Sequence, residues 1–185
     1  MTPDLVSVVI PSYNRKTLIT RAIDSVLAQT YQNLELIICD DGSTDGTKEW
    51  IHENYSAIIQ TQKMRWLDCG KNGGPAIPRN QGTLAARGRW VAYLDSDDFW
   101  FPKKLETQLE LLRSKNRFAA CSNAKCINES GEEKSLFFSD GSNKTLRWSQ
   151  LWFENRVICS SLIAEKDKLI EAGLFPADRA LQAIE

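Results

Sequence analysis

Segments typical of buried strands alternate with segments typical of amphipathic helices in the first half of the chain, and this alternation restricts the fold more than any other feature. Short apolar runs predict strands at Val6–Ile10, Leu34–Cys39, Met64–Cys69 and Trp90–Leu94. Between the first two, apolar residues recur at helical spacing over about Thr17–Ala28. Because strands separated by helices form parallel βαβ units, the sequence predicts an α/β protein with a mainly parallel sheet and helices on both faces.

Further helices are predicted after the second and third strands and in the second half of the chain. Ser43 or Thr44 is expected to cap a short helix that carries Trp50 and Ile51. The others are predicted at 77–86, with Pro78 in the first turn; from Pro102, with Leu105, Leu109 and Leu112 on one face; and at Lys166–Ala172, ended by Gly173. Beyond Phe118 the apolar pattern weakens, so we expect one domain whose second half is less regular.

Composition and charge argue against several classes of protein. The 185 residues are 42% hydrophobic and 25% charged, which is an ordinary globular balance. A net charge of -1 argues against a surface that binds nucleic acid by neutralising phosphates. The longest apolar run, Trp90–Leu94, is far shorter than a membrane span, and no signal peptide is visible. We therefore expect a cytoplasmic protein without a transmembrane segment, whose five scattered cysteines are reduced thiols and not a zinc site.

Polar side chains collect where the predicted strands end. Pro11–Arg15 follows the first strand, Asp40–Ser43 the second and Asp95–Asp98 the fourth. In a parallel α/β sheet these positions lie at one edge, where ligands bind. Five acidic side chains that converge there would repel one another, and a divalent cation such as Mg²⁺ or Mn²⁺ would offset this repulsion. Few carboxylates per metal leave room for waters and phosphate oxygens, as in a metal-nucleotide site.

Each cluster taken alone also fits an ordinary structural role. Asp41 with the following Gly and Ser is common turn chemistry, or Asp41 caps the next helix. Asp95–Asp98 alone is equally consistent with an acidic turn, and Tyr13 with a surface aromatic residue. The order and spacing of the three clusters together favour a binding site.

Several segments in the same order resemble the inverting glycosyltransferases of family 2, which have the GT-A fold. The matching segments are Val6–Arg15, Ser25–Glu35, Asp40–Asp45, Asn72–Pro75, Arg79–Gly82 and Asp95–Asp98. The resemblance extends from Val6 to Glu185. It implies a Rossmann-like, mainly parallel sheet and the transfer of a sugar from a nucleotide-diphosphate donor.

The resemblance also implies roles for individual residues. Pro11, Tyr13 and Arg15 would line the nucleotide pocket, with Tyr13 stacking on the base. Asp41 would accept a hydrogen bond from the base N3–H, which favours a uracil or thymine nucleotide, and Arg79 would lie near the base or the diphosphate. The remaining implied residues are Asp95, Ser96 and Asp97 for the nucleotide, and Asp97 and Asp98 for a Mn²⁺ or Mg²⁺ cofactor.

The catalytic base of the family normally lies in a Glu-Asp pair that follows a segment like Ala172–Pro176. Here Glu185 matches the Glu of that pair and is the last residue. We therefore expect the base just beyond Glu185, so that one domain, 1–185, comprises a nucleotide-sugar-binding half at 1–98 and an incomplete acceptor-side half at 99–185. Apolar surface left exposed around Leu174 and Phe175 would then favour self-association.

Two functions are consistent with the sequence. The first is a metal-dependent inverting glycosyltransferase that moves a sugar from a UDP-sugar to a hydroxyl group of a carbohydrate or lipid-linked acceptor. It would act in glycan or cell-surface polysaccharide synthesis, in the cytoplasm or peripherally at the inner face of the membrane. The alternative is a non-catalytic nucleotide-sugar or glycan-binding module, favoured by the missing base. Trp148 and Trp152, four residues apart, would form either a sugar platform or part of the core.

Overall fold

The computed structural model describes residues 2–128, 132–139, 145 and 157–178. In chain order the strands and helices of this part are β1 Thr2–Ser12, α1 Ile19–Leu27, β2 Leu34–Asp40, α2 Thr47–Asn54, α3 Ser56–Gln60, β3 Met64–Asp68, α4 Ala76–Ala85, β4 Gly88–Tyr93, α5 Lys104–Lys115, β5 Ala119–Ala120, β6 Lys125–Ile127, β7 Glu133–Leu136, a 3₁₀ turn Cys159–Ser161, β8 Ile163–Glu165 and α6 Lys166–Glu171. None of these helices is long and apolar enough to cross a membrane.

A six-stranded sheet in the order β3-β2-β1-β4-β8-β5 forms the centre of the molecule. The β1–β2, β1–β4 and β2–β3 pairs are parallel, and the β4–β8 and β5–β8 pairs are antiparallel. The central strand β1 pairs on both sides, so that Val8 lies opposite Leu36 on β2 and Ala92 on β4. A separate hairpin joins β6 and β7. The mainly parallel α/β sheet predicted from the sequence is confirmed.

Helices cover both faces of this sheet, because successive strand residues point to opposite sides. Val8 and Ile38 lie in one buried cluster with apolar residues of α1, α2 and α5, including the predicted Leu105, Leu109 and Leu112. Val9 and Ile37 lie in a second cluster with Ala86 at the end of α4 and Leu169 of α6. Strands that are buried on both faces explain the nearly continuous apolar runs in the sequence.

The predicted start of α2 is wrong. Ser43 does not cap this helix, because its backbone N–H donates instead to the Asp40 carboxylate at 2.9 Å. The helix begins at Thr47, whose N–H donates to Asp45 Oδ1 at 3.0 Å. The short helix α3 was not predicted, and the boundaries of the other predicted elements differ by only a few residues.

A buried carboxylate connects the strands at the amino end of the sheet. Glu35, at the start of β2, accepts hydrogen bonds from Ser7 Oγ at 2.6 Å and from the Arg87 backbone N–H at 2.7 Å. The other oxygen of Glu35 pairs with Arg65 Nη2 on β3 at 3.0 Å. Ser7 Oγ in turn accepts the Gly88 N–H at 2.9 Å. These contacts fix all four parallel strands relative to one another at the end of the sheet opposite the polar loops.

Candidate functional site

The loops after β1, β2, β3 and β4 enclose a cleft of about 370 Å³ at the carboxyl end of the parallel strands. Its walls are formed by Pro11, Ser12, Tyr13, Arg15, Asp41, Asn72, Gly74, Pro75, Pro78, Arg79, Asp95, Ser96 and Asp97. All eight residues predicted to bind the nucleotide are among them. A crevice at this edge of a doubly wound sheet is where such proteins bind their ligands.

Hydrogen bonds between two loops bring the first and second clusters together. The Asp41 N–H donates to the Ser12 carbonyl at 2.8 Å, which continues the β1–β2 ladder into the loops. Asn14 then receives Thr44 N–H on its side-chain oxygen and donates its own N–H to Ser43 Oγ, both at 2.8 Å. Asn14 adopts the left-handed conformation with φ 52°, which asparagine tolerates well. The turn leaves the Tyr13 side chain at the cleft and 41% exposed.

Asp41 holds the loop that follows β3. Its carboxylate is 3% exposed and accepts the N–H of Gly73 at 3.0 Å and of Gly74 at 2.9 Å. The loops approach so closely that a Cβ on Gly42, where φ is +85°, would lie 2.6 Å from the Gly70 carbonyl oxygen. A carboxylate offers about four acceptor directions, so Asp41 retains capacity to accept a further donor from the cleft. The predicted contact of Asp41 with a base N3–H is therefore compatible with this geometry.

The buried side chain of Arg79 forms an ion pair with the partly exposed Asp95, the first aspartate of the third cluster. The side chain projects from α4, is 5% exposed, and its Nη2 lies 2.9 Å from Asp95 Oδ1. The Asp95 backbone N–H donates to Ser160 Oγ at 3.1 Å. Asp95 is thus held by Arg79 and Ser160 at the cleft wall. The role near the base or diphosphate that the resemblance implies for Arg79 stays a prediction.

Asp97 presents an exposed carboxylate to the cleft. Its side chain is 54% exposed and lies 3.9 Å from Arg15 Nη2, while Arg21 Nη2 donates to its backbone carbonyl at 2.9 Å. The Arg21 guanidinium also lies over the Phe99 ring, 4.6 Å from its centroid. This anchor holds the loop backbone and leaves the Asp97 oxygens accessible.

Asp98 does not line the cleft. Burial raises the pKa of its carboxyl group, a hydrogen bond with Ser160 lowers it, and the neighbouring Asp95 and Asp97 raise it further. The net shift is upward. Of the two predicted metal ligands, Asp97 lies in the cleft wall, whereas Asp98 is not among the residues that line it.

The described residues contain no group of three or more His, Cys, Asp or Glu side chains arranged to hold a metal. Mg²⁺ is often bound by one or two carboxylates together with substrate phosphates and waters. Asp97, with Asp95 beside it, fits this kind of site, in which a nucleotide diphosphate completes the coordination.

Several cleft residues were not singled out from the sequence. Asn72, Gly74 and Pro75 come from the loop after β3, a segment that the resemblance to the family includes but to which no binding role was assigned. The signal in the sequence that could have pointed to this loop was the pair Gly73-Gly74, because the N–H groups of both glycines donate to the Asp41 carboxylate. Three residues named above lie outside the described residues: Trp148 and Trp152, predicted as a sugar platform or part of the core, and Glu185, after which the base is expected.

Comparison with known proteins decides the family. Residues 7–171 match the sequence model of glycosyl transferase family 2. The chain belongs to this family. The matched range includes every residue of the cleft wall, so the site described above is part of the family 2 domain.

Two relatives and one solved structure illustrate the similarity. The UDP-Glc:alpha-D-GlcNAc-diphosphoundecaprenol beta-1,3-glucosyltransferase WfaP of Escherichia coli is 40% identical over 123 residues, which are 65% of this chain and 46% of that protein. The putative teichuronic acid biosynthesis glycosyltransferase TuaG of Bacillus subtilis is 44% identical over 112 residues, 60% of this chain and 43% of TuaG. The chain thus spans less than half the length of these two relatives.

The fold likewise matches that of a solved structure. S. aureus TarS 1-349 in complex with UDP superimposes with a TM-score of 0.74 at 26% identity, over 93% of this chain and 50% of TarS 1-349. The GT-A fold expected from the sequence is confirmed.

Proposed function

We propose that this chain supplies the donor-binding part of a metal-dependent inverting glycosyltransferase that uses a UDP-sugar. The observation that carries the proposal is one cleft, at the carboxyl ends of the parallel strands, that combines an exposed aromatic ring, a buried acceptor carboxylate and accessible acidic oxygens. These groups belong to Tyr13, Asp41 and Asp97. The ring is suited to stacking on a base, the buried carboxylate to accepting a uracil N3–H, and the acidic oxygens to holding a metal-bound diphosphate.

The base and the sugar-phosphate portion of the donor would contact different walls of the cleft. The Tyr13 ring offers a stacking surface for the base, and Asp41 beside it accepts the N3–H, which cytosine lacks. Asp95 and Asp97 face the diphosphate end. The UDP complex of TarS and the UDP-Glc donor in the name of WfaP support a uridine nucleotide in this chain as well.

The acidic loop is expected to act through charge. Asp97, with Asp95 beside it, would hold a Mn²⁺ or Mg²⁺ ion, which when bound supplies positive charge to the leaving diphosphate. Arg79 keeps Asp95 in place and adds a fixed cationic group. We further propose that a carboxylate base beyond Glu185 removes the proton from the acceptor hydroxyl, so that the sugar is transferred in one inverting displacement.

The remaining assignments follow from this proposal. Residues 1–98 form the nucleotide-sugar half of one domain, and 99–185 form part of the acceptor side. The diphosphoundecaprenol acceptor in the name of WfaP and the polymer in that of TuaG support a lipid-linked or carbohydrate acceptor in polysaccharide synthesis. Such an acceptor would place the protein at the inner face of the membrane.

Calorimetry with UDP, with and without EDTA in the presence of Mn²⁺, tests the donor site. We expect binding that weakens strongly when the metal is removed. Asp97→Asn should lose this metal dependence while the protein remains folded. Asp167→Asn, a change of the same chemistry on the exposed surface of α6, should retain it. Equal UDP affinity with and without metal would refute the role of the acidic loop.

The alternative function, a nucleotide-sugar-binding module without catalysis, is tested by turnover. The protein as its gene encodes it is assayed with UDP-sugars and a lipid-diphosphate-sugar acceptor, next to the protein ending at Glu185. Transfer by the former and not by the latter is expected if the base follows Glu185. Equal rates would show that the base lies within residues 1–185, and metal-dependent UDP binding without transfer by either would favour the binding module.

A further inference from the structure

The turn after α6 has an unusual backbone. Gly173 and Leu174 both have left-handed conformations, with φ 91° and 64°. Gly173 follows the C-cap residue Ala172, at a position where helices commonly have a glycine, and the Leu174 N–H donates to the Leu169 carbonyl at 3.1 Å. A leucine in this conformation is strained, because its Cβ approaches the backbone carbonyl oxygen. Such strain persists only where surrounding contacts maintain it.

Asn80 supplies two of these contacts. Its side-chain Nδ2 donates to the Phe175 carbonyl at 2.8 Å, and its Oδ1 accepts the Phe175 N–H at 2.9 Å. Both backbone polar groups of Phe175 are therefore satisfied by one amide side chain that lies 95 residues away in the sequence. A shorter or apolar side chain at position 80 would not form this pair of hydrogen bonds.

The Phe175 ring is held at the same time. It packs edge-on against the Tyr93 ring, with centroids 5.2 Å apart. On another side the Arg79 guanidinium carbon lies 5.5 Å from the ring centroid. Arg79 is the residue that pairs with Asp95 at the cleft wall. Two consecutive residues of α4 therefore link the donor cleft to the turn after α6.

We propose that Asn80 is a positioning residue, which fixes the chain after Phe175 relative to the donor cleft through its paired hydrogen bonds to the Phe175 backbone. This inference rests on the proposed function, in which the segment after Phe175 leads to the catalytic base. Asn80 is not among the residues that line the cleft, so we expect it to act on the alignment of acceptor-side groups and not on the affinity for the nucleotide.

Asn80→Ala in the protein as its gene encodes it tests the inference. Because small misplacements of reacting groups cost up to about a hundredfold in rate, we expect kcat to fall about tenfold or more. The KM for the UDP-sugar and the Kd for UDP should change less than about threefold. Hydrogen exchange at the Phe175 amide should lose protection, since this N–H loses its acceptor. Asn80→Asp keeps that acceptor and should keep this protection, but it sets a carboxylate oxygen against the Phe175 carbonyl oxygen, so kcat should still fall.

Gln81→Ala is the matched control, since it removes a neighbouring amide on α4 whose Nε2 makes a long contact of 3.5 Å with the Cys69 carbonyl. Unchanged kcat in Asn80→Ala would overturn the inference, and so would a parallel loss of UDP affinity, because the residue would then serve the donor site or overall folding. An unmodified protein that transfers no sugar would overturn the proposed function and this inference together. If the unmodified protein transfers sugar and the Asn80 variants behave as the wild type does, this inference alone is overturned.

Discussion

Substitution of Gly82 by alanine should push α4 away from the sheet. A Cβ at this position would lie 2.5 Å from Val9 Cγ1 and 2.7 Å from Cys39 Sγ. Carbon atoms in good contact are about 3.5–4.0 Å apart, so the overlap is about 1 Å on each side. Val9 and Cys39 lie on the central strands β1 and β2 and are fully buried, so neither side chain has free space into which to move.

The expected effect on stability is a balance of two terms. Alanine favours the helical backbone over glycine by about 0.8–1.0 kcal/mol. Overpacking of a dense core costs about 1–3 kcal/mol. Because the overlap involves two strands at once, we take the upper end of that range and expect Gly82→Ala to lower the free energy of unfolding by about 2 kcal/mol. For a chain of this size that corresponds to a fall in Tm of about 4–8 °C.

Urea unfolding of four proteins measures the effect: the wild type, Gly82→Ala, Val9→Ala and the double variant. Val9→Ala removes both methyl groups that the new Cβ would meet at 2.5 and 3.0 Å. In the Val9→Ala background, the loss of free energy of unfolding caused by Gly82→Ala should be at least about 1 kcal/mol smaller than in the wild type. The double-mutant cycle then reports a favourable coupling. A neutral or stabilising Gly82→Ala, or equal costs in both backgrounds, would refute the close approach of α4 to the sheet.

Three further predictions concern other contacts of the structure. Glu35→Ala should lower the free energy of unfolding by about 3 kcal/mol in urea titrations, because Arg65 loses its ion-pair partner and the Ser7 hydroxyl loses its acceptor. A loss below about 1 kcal/mol would contradict the network. Burial alone would raise the pKa of Asp45, but hydrogen bonds from Thr47 and from the Lys16 backbone lower it overall. Asp45→Ala should therefore lower the free energy of unfolding by about 1 kcal/mol at pH 7, and this difference should shrink as the pH falls through the lowered pKa; a difference independent of pH would rule out the ionised cap. Tyr13→Ala should weaken UDP binding at least severalfold in calorimetry, since base stacking contributes about 1–3 kcal/mol, and GDP binding as tight as UDP binding in the unmodified protein would remove the role given to Asp41.

The sequence predicts the parallel part of the fold well because its strands are buried on both faces. Leu34–Asp40 is buried along its whole length. The apolar run within it therefore cannot be interpreted as an exposed helix. The second half is different. Strand β5 has two residues and β7 is exposed along its length, so neither produces a periodic pattern. Their pairing depends on neighbours that are distant in the sequence.

The sequence predicted many of the residues that line the cleft, but it did not predict the partner that each side chain contacts. Strand ends at one edge of a sheet necessarily lie close together, which explains why the three polar clusters meet. The contacts of Asp41 with the Gly73 and Gly74 N–H groups depend on the path of a loop that no local pattern specifies. Likewise, Asp97 and Asp98 are adjacent, and only the turn after β4 decides that Asp97 faces the cleft.

The position of β1 between β2 and β4 has a consequence for synthesis on the ribosome. Strands β1, β2 and β3 are contiguous in residues 2–68 and can pair as soon as they emerge, but the other edge of β1 waits for β4, which ends at Tyr93. Those 25 intervening residues take about 1–5 s at translation rates of roughly 5–20 residues per second. During that interval the nascent chain carries an unpaired apolar strand edge, a template for association with other chains. Slow codons between Asp68 and Tyr93 should therefore lower the yield of folded protein more than slow codons placed after Tyr93.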